Sequence, residues 1–233
     1  MSGTLYAMKT LIAKYPSLAI PIARVRGHGV VVDPDTEVVI EGFPRSANSF
    51  AVAAFEMAQG RTARIAHHVH APAQVLRAIT LGVPAIVLIR EPEDAILSLM
   101  LAQPYLTPHR AVRGYVRFYD PLVPHRHRFV VGAFPDVTTD FGGVIRRVNE
   151  LSGTSFAEFV HTAKRERAVF EAMEQYWEGR LGRGEELERQ VGRPSPRREE
   201  LKAALRSDYR AGQLAPLRAR ADLLYRRLTE ERG

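Results

Sequence analysis

Short apolar runs alternate with longer segments of helical periodicity over the first two thirds of the chain. The run Pro84–Ile89 is apolar throughout, which is typical of a parallel strand covered on both faces. Strands that alternate with helices indicate βαβ units. The predicted class is therefore α/β, with a central parallel sheet flanked by helices. The strands are predicted at Gly27–Val32, Glu37–Glu41, Ala63–Val69, Pro84–Ile89 and Arg128–Ala133.

Helical periodicity extends to both ends of the chain, and Leu5–Ile22 is predicted as a helix of the fold rather than a signal peptide. One domain is predicted over 1–233, with its core at about 37–156 and a helical C-terminal part at 156–233. The Gly-, Arg- and Glu-rich stretch Gly182–Ser195 is predicted as a loop. Helices are predicted at 4–14, Asn48–Gln59, Pro72–Leu81, Pro92–Ala102, 109–120, Phe141–Ser152, Phe156–Leu181, Arg197–Ser207 and Pro216–Arg232.

Composition and charge exclude a few classes of function. The 233 residues contain no cysteine, so disulfides and thiolate metal sites are excluded, and a reducing, cytoplasmic location is predicted. The net charge of +7 is compatible with an anionic small ligand or with nucleic acid. Because no known nucleic-acid motif is present, nucleic acid is not the predicted partner. No apolar run approaches the ~20 residues of a membrane span. Nothing in the sequence indicates an oligomeric state.

The loop Gly42-Phe43-Pro44-Arg45-Ser46-Ala47-Asn48-Ser49-Phe50 lies between a predicted strand and a predicted helix. Backbone N–H groups at such a helix start can hold a phosphate. The spacing is that of a Walker A loop, G-x-x-x-x-G-K-[ST], but Ala47-Asn48 replaces Gly-Lys while Ser49 keeps the hydroxyl. Without the Walker lysine, the loop is predicted to bind a phosphate-bearing ligand but not to carry out ordinary ATP or GTP hydrolysis.

A second candidate segment, Arg90-Glu91-Pro92-Glu93-Asp94-Ala95-Ile96-Leu97-Ser98, begins where the clearest strand ends. Ligands of open parallel sheets bind outside the carboxyl ends of the strands, so Arg90 is expected at the same edge as the loop. Arginine offers a planar fork of donors to a phosphate, and Ser98 can add a hydroxyl. The alternative is a solvated arginine with a serine on a helix surface.

The third segment, His67-His68-Val69-His70-Ala71-Pro72, ends another predicted strand. His-x-His can supply two metal ligands, but no carboxylate or cysteine nearby completes the set, and no metal is predicted. A histidine beside the loop would serve as a general base because its pKa lies near neutrality. The alternative is a strand-end histidine that caps the next helix.

The order and spacing of these three segments resemble the sulfotransferases that use 3′-phosphoadenosine 5′-phosphosulfate (PAPS). Pro44–Phe50 stands in the place of that family's phosphosulfate loop, and His70 in the place of its catalytic histidine. Its 3′-phosphate motif, Arg-x-Pro-x-Asp-x-x-x-Ser, is matched at every fixed position by Arg90–Ser98. The resemblance covers about 37–156 and implies a three-layer fold of the P-loop type.

The resemblance also implies a chemistry. PAPS would be the donor, adenosine 3′,5′-bisphosphate (PAP) the product, and a hydroxyl-bearing small molecule or carbohydrate (or an amine) the acceptor, without a metal. His70 would act as the base, and Arg45 would stabilise charge on the transferred group. The implied nucleotide-binding residues are Arg45, Ser46, Ala47, Asn48, Ser49, Phe50, Arg90, Ser98 and Arg197.

The chain departs from the family pattern in ways that leave alternatives open. The loop lysine is Arg45, which binds phosphate but, with its very high pKa, donates no proton. The loop glycine is Ala47, and the C-terminal Arg-Lys-Gly loop has no clear counterpart, the nearest candidate being Arg193–Arg197. An atypical P-loop nucleotide kinase and a catalytically inactive nucleotide-binding relative are the alternative hypotheses.

Overall fold

A parallel β-sheet forms the centre of the molecule. The computed structural model describes residues 2–27, 29–181, 189–190 and 196–230. Within these residues, four strands pair in the order β2-β1-β3-β4, and every pair is parallel. The α/β class with a parallel sheet flanked by helices is therefore confirmed. The strands are β1 (Val38–Gly42), β2 (Ile65–His67), β3 (Ala85–Ile89) and β4 (Val130–Ala133).

Helices cover both faces of the sheet. Their bounds are α1 Gly3–Ile12, α2 Pro16–Arg26, α3 Asn48–Gln59, α4 Pro72–Leu81, α5 Pro92–Ala102, α6 Pro108–Tyr119, α7 Phe134–Thr139, α8 Phe141–Ser152, α9 Ala163–Leu181, α10 Pro196–Arg210 and α11 Ala215–Thr229. Short 3₁₀ segments lie at Asp120–Arg128 and Gly212–Leu214. None of the described helices is both long enough and apolar enough to cross a bilayer.

The alternation of side chains along the strands creates two cores. Ile40 and Leu88 face one core, which they share with α3, α8 and α9. Val39 and Val87 face the other, which they share with α4, α5, α6 and α11. Because the strands are buried on both faces, they are apolar at nearly every position, and this made them recognisable in the sequence.

The helix that follows β1 and the helix that follows β3 pack on opposite faces of the sheet. α3 lies against the first core and α5 against the second. The strand order also reverses at β1, since β2 lies on one side of it and β3 on the other. Such a switch point opens a crevice at the carboxyl edge of an α/β sheet, and this is where ligands of these folds bind.

Several predicted elements differ from the structure, among them the strand predicted at Ala63–Val69, which is limited to Ile65–His67. Among the described residues of the predicted strand Gly27–Val32, pairing is limited to an isolated antiparallel bridge between Val30 and His67, and the Val32 N–H donates to the Gln74 side chain instead of to a strand. The predicted helix Leu5–Ile22 is two helices, since Pro16 cannot continue α1 and instead begins α2.

A further difference is at the start of the C-terminal part. The predicted helix Phe156–Leu181 begins only at Ala163. The side chain of Asn149 binds both the N–H and the carbonyl of Phe156, which holds this segment in a non-helical conformation. Most of the predicted loop Gly182–Ser195, and the end of the predicted helix Pro216–Arg232, lie outside the described residues.

Gly42, the last residue of β1, has no room for a side chain. A Cβ atom there would lie 2.6 Å from the Leu88 carbonyl oxygen and 2.8 Å from the Leu88 Cβ on the adjacent strand. We therefore expect Gly42→Ala to lower the free energy of unfolding by about 1–3 kcal/mol.

Gly179→Ala is the matched control, because a Cβ at Gly179 on α9 meets nothing within 4 Å. Alanine is the better helix former, so this variant should gain up to about 1 kcal/mol. Denaturant unfolding of both variants measures the difference, and equal stabilities would contradict the close packing of β1 on β3.

Candidate functional site

A cavity of about 530 Å³ lies at the carboxyl edge of β1 and β3. The loop after β1, the histidine segment after β2 and the start of α5 line one part of it. Helices α1, α6, α7, α9 and α10 also contribute to its lining. The structure thus brings together the three segments that the sequence analysis selected, which lie far apart along the chain.

Hydrogen bonds from a loop side chain and from Tyr119 of α6 fix the conformation of the loop after β1. Asn48 Nδ2 donates to the Phe43 carbonyl at 3.0 Å. Tyr119 on α6 accepts a hydrogen bond from the Phe43 N–H at 3.3 Å and donates to the Leu88 carbonyl at 2.8 Å. Ser46 is buried with its hydroxyl 3.4 Å from that of Tyr119 and does not line the cavity. The Ser46 side chain therefore stabilises the loop, and its N–H donates to the Phe43 carbonyl at 3.3 Å.

The start of α3 has the properties of an anion site. Ala47 precedes the helix in a left-handed conformation, and no side chain in the described part of the chain caps the first turn. The first N–H groups of a helix have no partner within the helix and carry the positive end of its dipole. The buried Asn48 Oδ1, which has no hydrogen-bond partner among the described residues, can only accept and therefore gives an anion no donor.

Phe50, one of the nucleotide-binding residues that the resemblance implies, is buried. Its ring packs on Phe170 at 5.5 Å and lies stacked on the His161 ring at 6.1 Å. The residue still lines the cavity. Phe50 therefore contributes an apolar wall at the loop end of the cavity and holds α3 against α9.

Guanidinium groups surround the hydroxyl of Ser98. Arg45 Nε donates to Ser98 Oγ at 3.0 Å, and Arg198 Nη2 donates to the same oxygen at 3.2 Å. Arg90 lies beside them, and its Nη1 is 3.5 Å from the Arg45 carbonyl. Burial, followed by the charges of Arg198 and Arg90, lowers the pKa of Arg45 to about 9. The cluster therefore concentrates positive charge where an anionic ligand would relieve the repulsion.

Arg90 has capacity left for a ligand. Its Nη2 pairs with Asp94 at 3.1 Å, and its guanidinium lies 4.0 Å from the centre of the Phe134 ring. Its buried Nε has no hydrogen-bond partner in the described part of the chain. The two polar side chains of this motif, Arg90 and Ser98, therefore both line the cavity, as expected from the sequence.

The arginine that the C-terminal part contributes to the cluster is Arg198, whereas the sequence had pointed to its neighbour Arg197. Arg197 lies outside the cavity, with its exposed side chain paired to Glu200 at 3.0 Å. Arg198 is 3% exposed and lines the cavity together with the buried Lys202. Successive residues of a helix point about 100° apart, so the packing of α10 against α5 turns position 198, not 197, toward Ser98.

The geometry of His70 defines its neutral tautomer. Its Nδ1 lies 2.9 Å from the Gly42 carbonyl oxygen, which can only accept, so Nδ1 carries the proton. The other ring nitrogen, Nε2, is then the basic one, on a ring that lines the cavity. Burial lowers the pKa of His70 to about 3, with a further contribution from His68. His70 is thus neutral at neutral pH, but the lowered pKa makes it a weaker base than the near-neutral histidine expected from the sequence.

His68 connects the histidine segment to the loop. Its Nε2 lies 3.1 Å from the Ser49 hydroxyl, and its Nδ1 lies 2.6 Å from Nδ1 of His67. Burial also lowers the pKa of His68, to about 4. Within the described residues, no three His, Asp or Glu side chains are placed to hold a metal ion. The prediction of a site without a metal stays a prediction.

A fully buried carboxylate, Glu41 in β1, supports the histidine segment. It accepts hydrogen bonds from the N–H groups of Gly42 and Val69, at 3.1 and 2.9 Å, and from Gln74 Nε2 at 3.3 Å. Its Oε1 lies 3.5 Å from His70 Nδ1. Burial raises the pKa of Glu41 to about 7. This role was not predicted from the sequence, although a carboxylate inside an apolar strand was a signal for it.

Backbone strain is concentrated at the same place. The non-glycine residues with positive φ in the described part of the chain are Arg45 (74°), Ala47 (68°), His68 (60°) and His70 (53°). All of them lie in the two segments that line the cavity. Each left-handed residue costs about 1–2 kcal/mol, and such strain persists mainly at functional sites. This observation supports a functional site here without any reference to sequence motifs.

The far end of the cavity is formed by helices that the sequence analysis did not connect to the site. Tyr6, Lys9 and Thr10 of α1 face Arg117 and Phe118 of α6 there. Burial lowers the pKa of Lys9, and the negative charge of Glu41 partly opposes that shift. The cavity therefore has a cationic cluster around Ser98 and a second, mixed polar and aromatic end beyond His70.

A scan against protein-family models finds no match for the chain, and a search among curated proteins finds no similar sequence either. The functional assignment therefore rests on the geometry of the cavity and on the motifs that line it.

The lowered pKa values of His68 and His70 predict a loss of stability in acid. Below about pH 6.5 the unfolded histidines bind protons that the folded ones do not, so the free energy of unfolding falls as the pH falls toward the folded values. The raised pKa of Glu41 acts in the opposite sense, because from about pH 7 down to 4.5 only the folded state holds that proton.

The variant His70→Asn isolates the histidine contribution, since its amide can still donate to the Gly42 carbonyl. We expect the melting temperature of the native protein to fall more steeply than that of His70→Asn between pH 6.5 and 4. If the melting temperatures of the two proteins fell equally steeply with pH across this range, a buried, neutral His70 would be contradicted.

Proposed function

We propose that the protein is a sulfotransferase that moves the sulfuryl group of PAPS to the hydroxyl, or amine, of a small molecule or carbohydrate. The observation that carries this proposal is the meeting of the phosphate-type loop, His70 and the Arg90–Ser98 pair in one cavity. In the resembled family these segments hold the 5′-phosphosulfate, the attacking hydroxyl and the 3′-phosphate.

The loop end of the cavity fits the phosphosulfate of the donor. The uncapped start of α3 offers backbone N–H groups, and Asn48 and Ser49 offer polar side chains. We propose that this loop is of the P-loop type, in a three-layer P-loop fold. An asparagine in place of the Walker lysine suits a ligand that is not a metal-bound triphosphate.

The cationic cluster fits the 3′-phosphate. Arg90 and Arg198 would hold the 3′-phosphate beside the Ser98 hydroxyl, to which Arg45 also donates from the loop. A phosphate accepts planar, charge-assisted hydrogen bonds from arginine, which are the strongest that a protein offers to it. The unpartnered Nε of Arg90 supplies a donor that the described part of the chain itself does not use.

In the proposed reaction, His70 would remove the acceptor's proton. Its Nε2 would take that proton as the acceptor oxygen forms a bond to sulfur and the bond from sulfur to the bridging oxygen breaks. PAP leaves with the bridging oxygen on its 5′-phosphate, so charge builds there. Arg45 would stabilise this charge without donating a proton, which suits a phosphate leaving group. A cytoplasmic location stays a prediction from the absence of cysteine.

Binding of PAP distinguishes the donor site from a kinase-like site. We expect calorimetric titration to show PAP binding without a metal and tighter than ATP with Mg²⁺. Arg198→Ala should weaken PAP binding by about 10- to 100-fold, the effect of one charge-assisted hydrogen bond. Arg197→Ala, one residue away and outside the cavity, should leave it unchanged.

Tighter binding of ATP with Mg²⁺ would favour a kinase-like protein instead. Equal losses in the two arginine variants would show that the cluster around Ser98 does not hold the nucleotide.

The rate of sulfuryl transfer tests whether His70 is the general base. We expect His70→Asn to lower sulfuryl transfer by about 10²- to 10⁴-fold, the usual contribution of a general base, with PAP affinity unchanged. His127→Ala, an exposed histidine outside the cavity, is the control. An acceptor screen with labelled PAPS gives the measurement, and full turnover in His70→Asn would remove His70 as the base.

A further inference from the structure

The outer side of α1 and α2 exposes an unusual number of large apolar side chains. Met8 is 61% exposed and Val25 is 89% exposed. Neighbouring members of the set are three or four residues apart, so they form a continuous stripe along each helix. The set, named here the α1–α2 stripe, consists of Leu5, Met8, Leu11, Tyr15, Leu18, Ile22 and Val25.

This stripe lies on a face of the molecule that carries almost only positive charge. No Asp or Glu occurs before Asp33, whereas Lys14, Arg24 and Arg26 are exposed. The helices that pack beside the stripe, α6 beside α1 and α4 beside α2, contain no acidic residue either. Both Arg110 and Arg113 on α6 add to the positive charge.

Apolar and basic side chains meet directly in a surface groove of about 420 Å³ between α1 and α6. Met8 and Leu11 form its apolar part, and Arg110 and Arg113 form its basic part. Thr10 and Arg117 line both this groove and the cavity described above. The charged apolar face is therefore continuous with the far end of the cavity.

We propose that the α1–α2 stripe docks the protein on the surface of an anionic lipid bilayer. Apolar side chains on one helix face, flanked by lysine and arginine, are what an interfacial helix uses to bind a membrane without crossing it. The basic residues would lie among the anionic head groups. A second copy of the chain would present the same positive face, and like charges would oppose that association.

Docking in this orientation places the far end of the cavity beside the lipid head groups, because the cavity and the groove share Thr10 and Arg117. The inference depends only on the exposed stripe and its charge. It therefore holds whether or not the protein transfers sulfate, and its test uses lipid binding alone.

Flotation with lipid vesicles tests the proposal. The full chain should float with vesicles of phosphatidylcholine and phosphatidylglycerol in equal parts, and at least about tenfold more weakly with phosphatidylcholine alone. Added salt should weaken the binding. Met8→Ser with Val25→Ser should lower the partition coefficient by about tenfold or more. Lys14→Glu with Arg26→Glu should do the same.

Matched changes on other helices are the controls. Leu151→Ser with Val160→Ser removes apolar side chains that are 50% and 58% exposed elsewhere on the surface. Lys164→Glu with Arg167→Glu reverses exposed charges on α9, on the opposite side of the sheet from α1. These variants should float like the native protein.

Three results would overturn the proposal. The first is that the native protein floats with neither type of vesicle. The second is that the stripe variants and the control variants lose vesicle binding to the same extent. The third is a dimer in solution that Met8→Ser with Val25→Ser dissociates, which would assign the stripe to a second copy of the chain.

Discussion

The parallel pairing of β1 with β3 is the constraint on which the rest of the site depends. It sets Gly42 opposite Leu88, so close that no side chain fits at position 42. The loops that leave the two strands therefore start side by side. Since α3 and α5 then depart to opposite faces, the crevice between them stays open, and Arg45 reaches Ser98 across it. A shift of one residue in register would move every side chain of β1 to the other face.

The buried carboxyl group of Glu41 has a high desolvation cost, which its hydrogen bonds offset. An ionised carboxylate in an apolar core is costly unless it is hydrogen-bonded, and here backbone N–H groups and Gln74 supply those bonds. The same bonds tie β1 to the segment that carries His70 and hold it in a strained conformation. Stability and the geometry of the candidate base thus depend on one side chain.

Positive charge is concentrated in two places on the molecule, and each of them is the site of one proposed function. One is the cavity proposed to bind the nucleotide, and the other is the surface proposed to dock on an anionic bilayer. Inside the cavity, Arg45, Arg90 and Arg198 converge on one hydroxyl. Outside, α2, α4 and α6 carry basic residues without a single acidic one. An anionic ligand would relieve the repulsion inside, and an anionic surface would do so outside.

The sequence by itself determined the parallel sheet and the three segments that meet at its carboxyl edge. Buried parallel strands are apolar at nearly every position, and polar residues at their carboxyl ends must share one edge. Tertiary structure alone decided which residues complete that edge. Arg198 approaches Ser98 only because α10 packs on α5, and Lys9 reaches the cavity only because α1 packs on α6. Helical periodicity defines the relative directions of side chains, but the docking of the helix selects which of them faces the site.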